Sequence, residues 1–417
     1  MTRETRRAGA SWLLRLIVVT ILVGVGSGVA GIVVTLLLRV TQHVAYGYSD
    51  GTFLDGVLGA EPWRRVVALA AAGVVGGLGW WALRRWGAAI VPVSEVVGGR
   101  RMPAITSVLH AALQIVIVGL GASIGRELAP RELGALFGSW LSDRAGLTAR
   151  DRRVLVAAGA GAGLAAVYNV PLGGAIFTLE VLLLELTITS VIVALATSAI
   201  ATLVARIIVP NESLYSLPAL PMTPSLIVWA LLAGPLLGLA GAAFVRGIEA
   251  ARDHRPTGWP LIVVMPVVFT GIGALALVFP QILGNGRALG QVAFDAALPI
   301  GAIAVLLALK AVVTLATIGS GASGGTLTPS LALGAALGIV GGGLWSLAWP
   351  GTPVASFVLV AAAAFLAASM RAPVTALVLV FEFTNQQFGL LIPAMIAVAG
   401  SITVARLLER RRITGVD

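Results

Sequence analysis

The feature that most limits what this chain can become is its succession of apolar runs, at about 12–39, 65–83, 104–124, 154–209, 225–247, 259–283, 297–318, 329–349, 354–369 and 373–407. An α-helix needs about 20 apolar residues to cross the hydrocarbon of a bilayer, whereas a barrel strand needs only about 10. Hydrophobic residues make up 58% of the 417 and charged residues 11%, with a mean hydropathy of +0.99. Soluble domains carry about 25% charge, so no soluble core could enclose this much apolar surface. The expectation is an all-α polytopic membrane protein. Several runs are too long for one crossing and are cut by Gly and Pro, as at Pro171, Pro329 and Pro373, while the stretch 88–98 is too short to span. Discontinuous and half-spanning helices are tolerated only where freed backbone groups face protein or a water-lined cavity. The first run outlasts a secretory signal and has no small-residue cleavage site behind it, so it reads as a transmembrane helix.

The chain has no cysteine, which removes disulfide and thiol–metal chemistry. Its net charge of +10 comes almost entirely from arginine at segment ends, with Arg3, Arg6 and Arg7 before the first run and Arg406, Arg410, Arg411 and Arg412 after the last. Any basic chain could meet nucleic acid, but this distribution fits positive-inside anchoring, with both termini cytoplasmic and no nucleic-acid partner.

A proline-rich stretch at 211–224 divides the chain into a first transmembrane repeat, 1–210, and a second, 225–417. The segment LAAVYNVPLGGAIFTLE (164–180) aligns with LAASMRAPVTALVLVFE (366–382). GRELAP (125–130) and GGTLTP (324–329) both read G-x-x-L-x-P and run on into LGA. Two matches in the same order at nearly the same offset mark an internally duplicated transporter, whose site usually lies where the repeats meet.

In both halves a glycine-rich stretch precedes an apolar helix. The N–H groups of a helix start, at the positive end of its dipole, can hold an anion without a cationic side chain. Close helix packing by small residues accounts for such glycine and serine clusters as well. GSGASG at 319–324 also satisfies G-x-G-x-x-G, as does Gly26–Gly31, but neither follows a strand in a βαβ unit, so a dinucleotide site is not expected.

Within this apolar context Arg126 and Glu127 stand side by side. An ionised carboxylate at bilayer depth costs about 2.5–3.5 kcal/mol on insertion scales, so it needs a reason to be there. GRE after an apolar run, GAGAGLAAVYNVPLGGAIFTLE (159–180), GSGASGGTLTPSLALGAALG (319–338) and LAASMRAPVTALVLVFEFT (366–384) together resemble the CLC chloride channels and anion/proton exchangers. The resemblance runs over nearly the whole chain. It implies two inverted repeats, a homodimer with one anion pathway per subunit, and no cofactor. It also implies a gating glutamate at Glu127, whose carboxylate occupies an anion site when ionised and swings away when protonated. Anion contacts would fall on Val91, Leu128, Ala129, Thr326, Leu327 and Thr414.

The sequence departs from the family pattern at several of these positions. Leu128-Ala129 replace the family's Gly-Pro after the glutamate, and Pro130 comes one place late. Val91 stands where a serine hydroxyl usually meets the anion, Pro92 where a glycine sits, and Thr414 aligns weakly with the tyrosine. The exchangers' inner, proton-accepting glutamate falls on Val181. Glu180 points about 100° away around a helix, whereas Glu185 lies one turn further on the same face and is the candidate inner relay. His110 and Lys310 fall where the family carries basic residues, serving either the pathway's potential or helix packing. Glu180 and Glu382 match each other and read as structural.

Retention of Glu127 favours anion/proton exchange and Val181 favours passive conduction, with a fluoride-selective variant as a third reading. A membrane-embedded enzyme would need H-E-x-x-H or clustered intramembrane aspartates, and the sequence has neither of them. The expected place is the cytoplasmic membrane, without the appended cytoplasmic domains of many relatives.

Overall fold

The computed structural model describes residues 3–215, 217–218, 220–386 and 388–414; the side chains of residues 3–10, 388 and 411–414 lie outside that description. Among the described residues, seven helices are long and apolar enough to cross a membrane: Ser11–Tyr46, Pro62–Trp86, Ile188–Ala205, Pro224–Asp253, Ile300–Gly319, Leu327–Ala348 and Leu391–Arg410. Five shorter apolar helices accompany them, including Ala104–Gly119, Val354–Met370 and Pro373–Thr384. The chain is an integral membrane protein built on full and partial spans.

The long run at 154–209 resolves into three pieces. Ala149–Tyr168 ends where Asn169 turns left-handed (φ 56°), Pro171–Phe177 starts with its proline at the first helical position, and Ile188–Ala205 follows. Proline suits that position because it supplies a fixed φ and needs no N–H partner. Pro329 does not cut its helix: it lies in the first turn of Leu327–Ala348, where the backbone has no i−4 partner to lose. The eight-residue helix Arg287–Phe294 has no counterpart in the apolar runs, being too short and mixed to read as one. The stretch 211–224 is anchored at Tyr215. Tyr215 is fully buried, its N–H donates to the Phe383 carbonyl (2.9 Å), and its ring lies 4.9 Å from that of Phe294.

The chain forms two compact units that interleave along the sequence. The first comprises Met1–Leu37, Trp86–Ala112 and Glu127–Glu212; the second comprises Leu38–Arg85, Leu113–Arg126 and Ser213–Asp417. In the first, Ala149–Tyr168 is buried along almost its whole length and packs on Leu128–Arg144. The backbones touch: a Cβ on Gly134 would stand 2.0 Å from the Gly159 carbonyl oxygen, and one on Gly163 2.1 Å from that of Pro130. Small residues permit this approach, and in a lipid surround such packing replaces the hydrophobic drive of a soluble core. In the second unit Val354–Met370 is the buried centre against Leu327–Ala348, with a Cβ on Gly338 only 2.5 Å from Val358 Cα.

The halves repeat each other in backbone detail. Asn169 and Arg371, both left-handed, precede Pro171 and Pro373, which open matching helices. The next left-handed residues are Leu184 and Asn385, so the first half uses one residue more, taken up by the π-helical turn Thr178–Leu183. Likewise Gly121 (φ 108°) and Gly321 (φ 102°) end matching helices, and Gly125 and Gly325 form a reciprocal antiparallel bridge, with N–H to O distances of 2.7 and 3.1 Å. The following helices start at Leu128 and Leu327, again one residue further along in the first half. The extra residue falls in the Arg126–Glu127 stretch.

Candidate functional site

Glu127 is the N-cap residue of Leu128–Arg144, in αR backbone (φ −73°, ψ −19°). Its carboxylate does not cap the first turn of that helix. Instead Oε2 accepts a hydrogen bond of 3.3 Å from the Tyr168 hydroxyl, and Glu127 is only 1% exposed. Tyr168 can reach it because it is the last residue of the Ala149–Tyr168 helix packed alongside. With Pro130 third in the helix and lacking an N–H, the donors at this helix start are the amides of Leu128 and Ala129. Ala129 is fully buried and Leu128 half-buried.

Val91, in the same unit, is buried (4%) just before the five-residue helix Val93–Val97. Thr326 and Leu327 belong to the second unit, as N-cap and first residue of Leu327–Ala348; Thr326 is half-buried and Leu327 buried. The Thr414 side chain lies outside the described residues.

Val181 is half-buried in the π-helical turn. Glu185 lies just beyond that turn, with Arg150 at 3.8 Å and Arg153 at 4.0 Å. These three residues, with Arg101, Asp143 and Arg152, line a cavity of about 830 Å³ at the C-terminal end of Leu128–Arg144. Arg153 also donates to the Leu183 carbonyl (2.9 Å), fixing the end of the turn. Glu180 and Glu382 are both half-buried at matched positions.

His110 and Lys310 stand at equivalent places in Ala104–Gly119 and Ile300–Gly319, and their surroundings differ. Lys310, the chain's one lysine, is fully buried and donates to the carbonyls of Ile282 (2.8 Å) and Gly284 (2.7 Å). His110 faces an acid: its Nδ1 is 2.9 Å from Glu132 Oε2, and the two residues are 2% and 3% exposed. Sequence reasoning passed over three residues here: Glu132, its neighbour Arg131, whose guanidinium lies 4.4 Å over the Phe177 ring, and Tyr168. The signal was present, since Arg131-Glu132 is a second Arg–Glu pair set among apolar residues, and intramembrane ionisable residues mark functional sites.

Known proteins share this architecture. A ClcB-like protein of Ralstonia nicotianae is 30% identical over 94% of this chain and 96% of its own length. The H(+)/Cl(−) exchange transporter ClcA of Vibrio parahaemolyticus is 30% identical over 70% of this chain, which spans 64% of that protein. Among solved structures, a slow cyanobacterial Cl−/H+ antiporter superposes with a TM-score of 0.83 at 23% identity, over 94% of this chain and 95% of that one. A CLC-type fluoride/proton antiporter gives 0.76 at 19%, over 95% and 96%. The model of the voltage-gated chloride channel family matches residues 68–406, and with the broken helices, the paired glycine loops and the buried acid at a helix start already described, the chain belongs to the CLC family.

Proposed function

We propose that this protein transports small anions, chloride first, across the cytoplasmic membrane, and that Glu127 is both its gate and its outer proton carrier. The observation that carries the reading is a buried carboxylate at the start of a 17-residue helix, held from the side by Tyr168 and not bonded into its own first turn. The helix start is electropositive and offers the amides of Leu128 and Ala129. An ionised Glu127 competes with an anion for that place, and a protonated one has no charge to hold it there. Thr326 and Leu327 supply a matching helix start from the second repeat, and Val91 an apolar wall in place of a hydroxyl. Without a serine, the site relies on backbone donors for recognition. Thr414 remains the candidate contact from the chain's end.

The protein acts as a homodimer with one pathway in each subunit, both termini on the cytoplasmic side and no cofactor. It functions as a transport protein, not an enzyme. Glu185 stands at the arginine-rich end of the Leu128–Arg144 helix, where it would meet protons entering from the cytoplasm.

The test is chloride efflux from proteoliposomes with external pH recorded at the same time, for the native protein and Glu127→Gln. Chloride-driven proton movement that disappears in the variant supports the gate and carrier. Chloride flux without proton movement in the native protein reduces Glu127 to a gate. Absence of chloride, fluoride and nitrate flux overturns the reading.

A further inference from the structure

The mechanism above leaves unused the most deeply buried titratable pair of the first unit. His110 and Glu132 sit 2.9 Å apart, both at most 3% exposed, on two different helices. At the equivalent place in the second half, Lys310 donates to two carbonyls, which cannot take a proton. The first repeat instead sets an imidazole against a carboxylate. Both partners bind protons, and histidine is the side chain whose charge changes near neutral pH.

The position of the pair matters as much as its chemistry. Glu132 is five residues beyond Glu127 on one helix, about 7.5 Å along its axis. Arg131 lies between them in sequence and interacts electrostatically with both carboxylates. The same helix continues to Arg144, where the cavity lined by Arg101, Arg150, Arg152, Arg153 and Glu185 opens. The pair thus stands between the gate and the arginine-rich end, which positive-inside anchoring assigns to the cytoplasm.

Among the described residues, the neighbouring elements carry these charged and polar groups. The Ala149–Tyr168 helix, packed along Leu128–Arg144, is apolar from Val154 to Val167 and brings only the Tyr168 hydroxyl, which goes to Glu127. Val93–Val97 carries Glu95, which is exposed and paired with Arg100. The first helix meets Leu128–Arg144 with glycine, Gly26 lying against the Phe137 ring.

We propose that the His110–Glu132 pair is the inner proton site of this transporter, doing the work for which Val181 has no acid. The proposal rests on the anion-transport reading with Glu127 as the outer carrier. One proton leaves the Glu127 carboxyl, which becomes a carboxylate, and passes by water to the pair. The pair goes from a net charge of −1, carboxylate with neutral imidazole, to zero. It returns to −1 when the proton leaves by water for the arginine-lined cavity. No electron moves and no covalent bond other than those to the proton changes.

The experiment measures chloride and proton fluxes together in proteoliposomes holding full-length native protein, Glu132→Gln, and the double variant His110→Gln/Glu132→Gln, whose two amides can bond each other if the single variant fails to fold. The expected result is chloride flux within about twofold of native and a proton-to-chloride ratio lowered at least fivefold. An unchanged ratio in a folded variant overturns the proposal, as does a native protein that moves chloride but no protons; in both cases the anion-transport reading stands. Infrared difference spectra between acid and alkaline buffer are the second readout. A carboxylic C=O band present in native protein and in Glu127→Gln but absent in Glu132→Gln supports the site, and a band unaffected by Glu132→Gln refutes it. That readout tests whether Glu132 takes a proton, independently of the flux measurement.

Discussion

The two glycine loops share a backbone and differ in what they carry. Gly121 and Gly321 turn left-handed at matched places, Gly125 and Gly325 bond each other, and each loop feeds a helix with proline at its third position. The first loop is longer by one residue and holds Glu127; the second passes from Thr326 straight into Leu327. The helices leading into the loops differ in the same way, with His110 on an acid and Lys310 on carbonyls. The scaffold is duplicated, while Glu127 and the acid that meets His110 both belong to the first copy.

The largest effect that would test this contrast is expected at Lys310. Replacing it with Met leaves two buried carbonyls without their charged donor, which costs about 3 kcal/mol or more. His110→Gln, which keeps a hydrogen-bonding group, costs about 1 kcal/mol. Denaturant unfolding in detergent measures both, and equal costs would erase the distinction between a structural and an exchanging base. Next come the turns. Gly121→Ala and Gly321→Ala each force an L-residue to a φ above 100°, at about 1–2 kcal/mol apiece. A difference beyond 1 kcal/mol between them would mean that the loops are not equivalent. The smallest effect is at Tyr168→Phe. Loss of one hydrogen bond worth about 0.5–1.5 kcal/mol loosens the Glu127 carboxylate and raises chloride flux by about two- to tenfold, with proton coupling retained. Unchanged flux would show that Tyr168 does not hold the gate.

Much of this was legible in the chain. The apolar runs gave the class, and the recurrence of G-x-x-L-x-P and of the 164–180 block gave the duplication, because both are written in local residue order. Glu127 stood out because a charge in an apolar run needs a reason. The unread parts depend on distance in space. The Glu132–His110 contact joins residues 22 apart on separate helices, and only packing decides which acid meets which base. The π-helical residue was invisible because one added residue does not disturb an apolar pattern. Tyr215 lies in a proline-rich stretch that reads as a divider between the halves, and its burial depends on Phe294 and Phe383 far along the chain.

The bridge between Gly125 and Gly325 also has a consequence for biogenesis. Its two glycines lie 200 residues apart in the chain, so at about 5–20 residues per second the first glycine loop waits at least ten seconds on the ribosome for its partner. Until then the segment leading into Glu127 lacks two of its backbone hydrogen bonds and cannot take its final shape. A nascent first half therefore carries an unfinished loop before Glu127, and the order of synthesis leaves that loop open until the second half has been made.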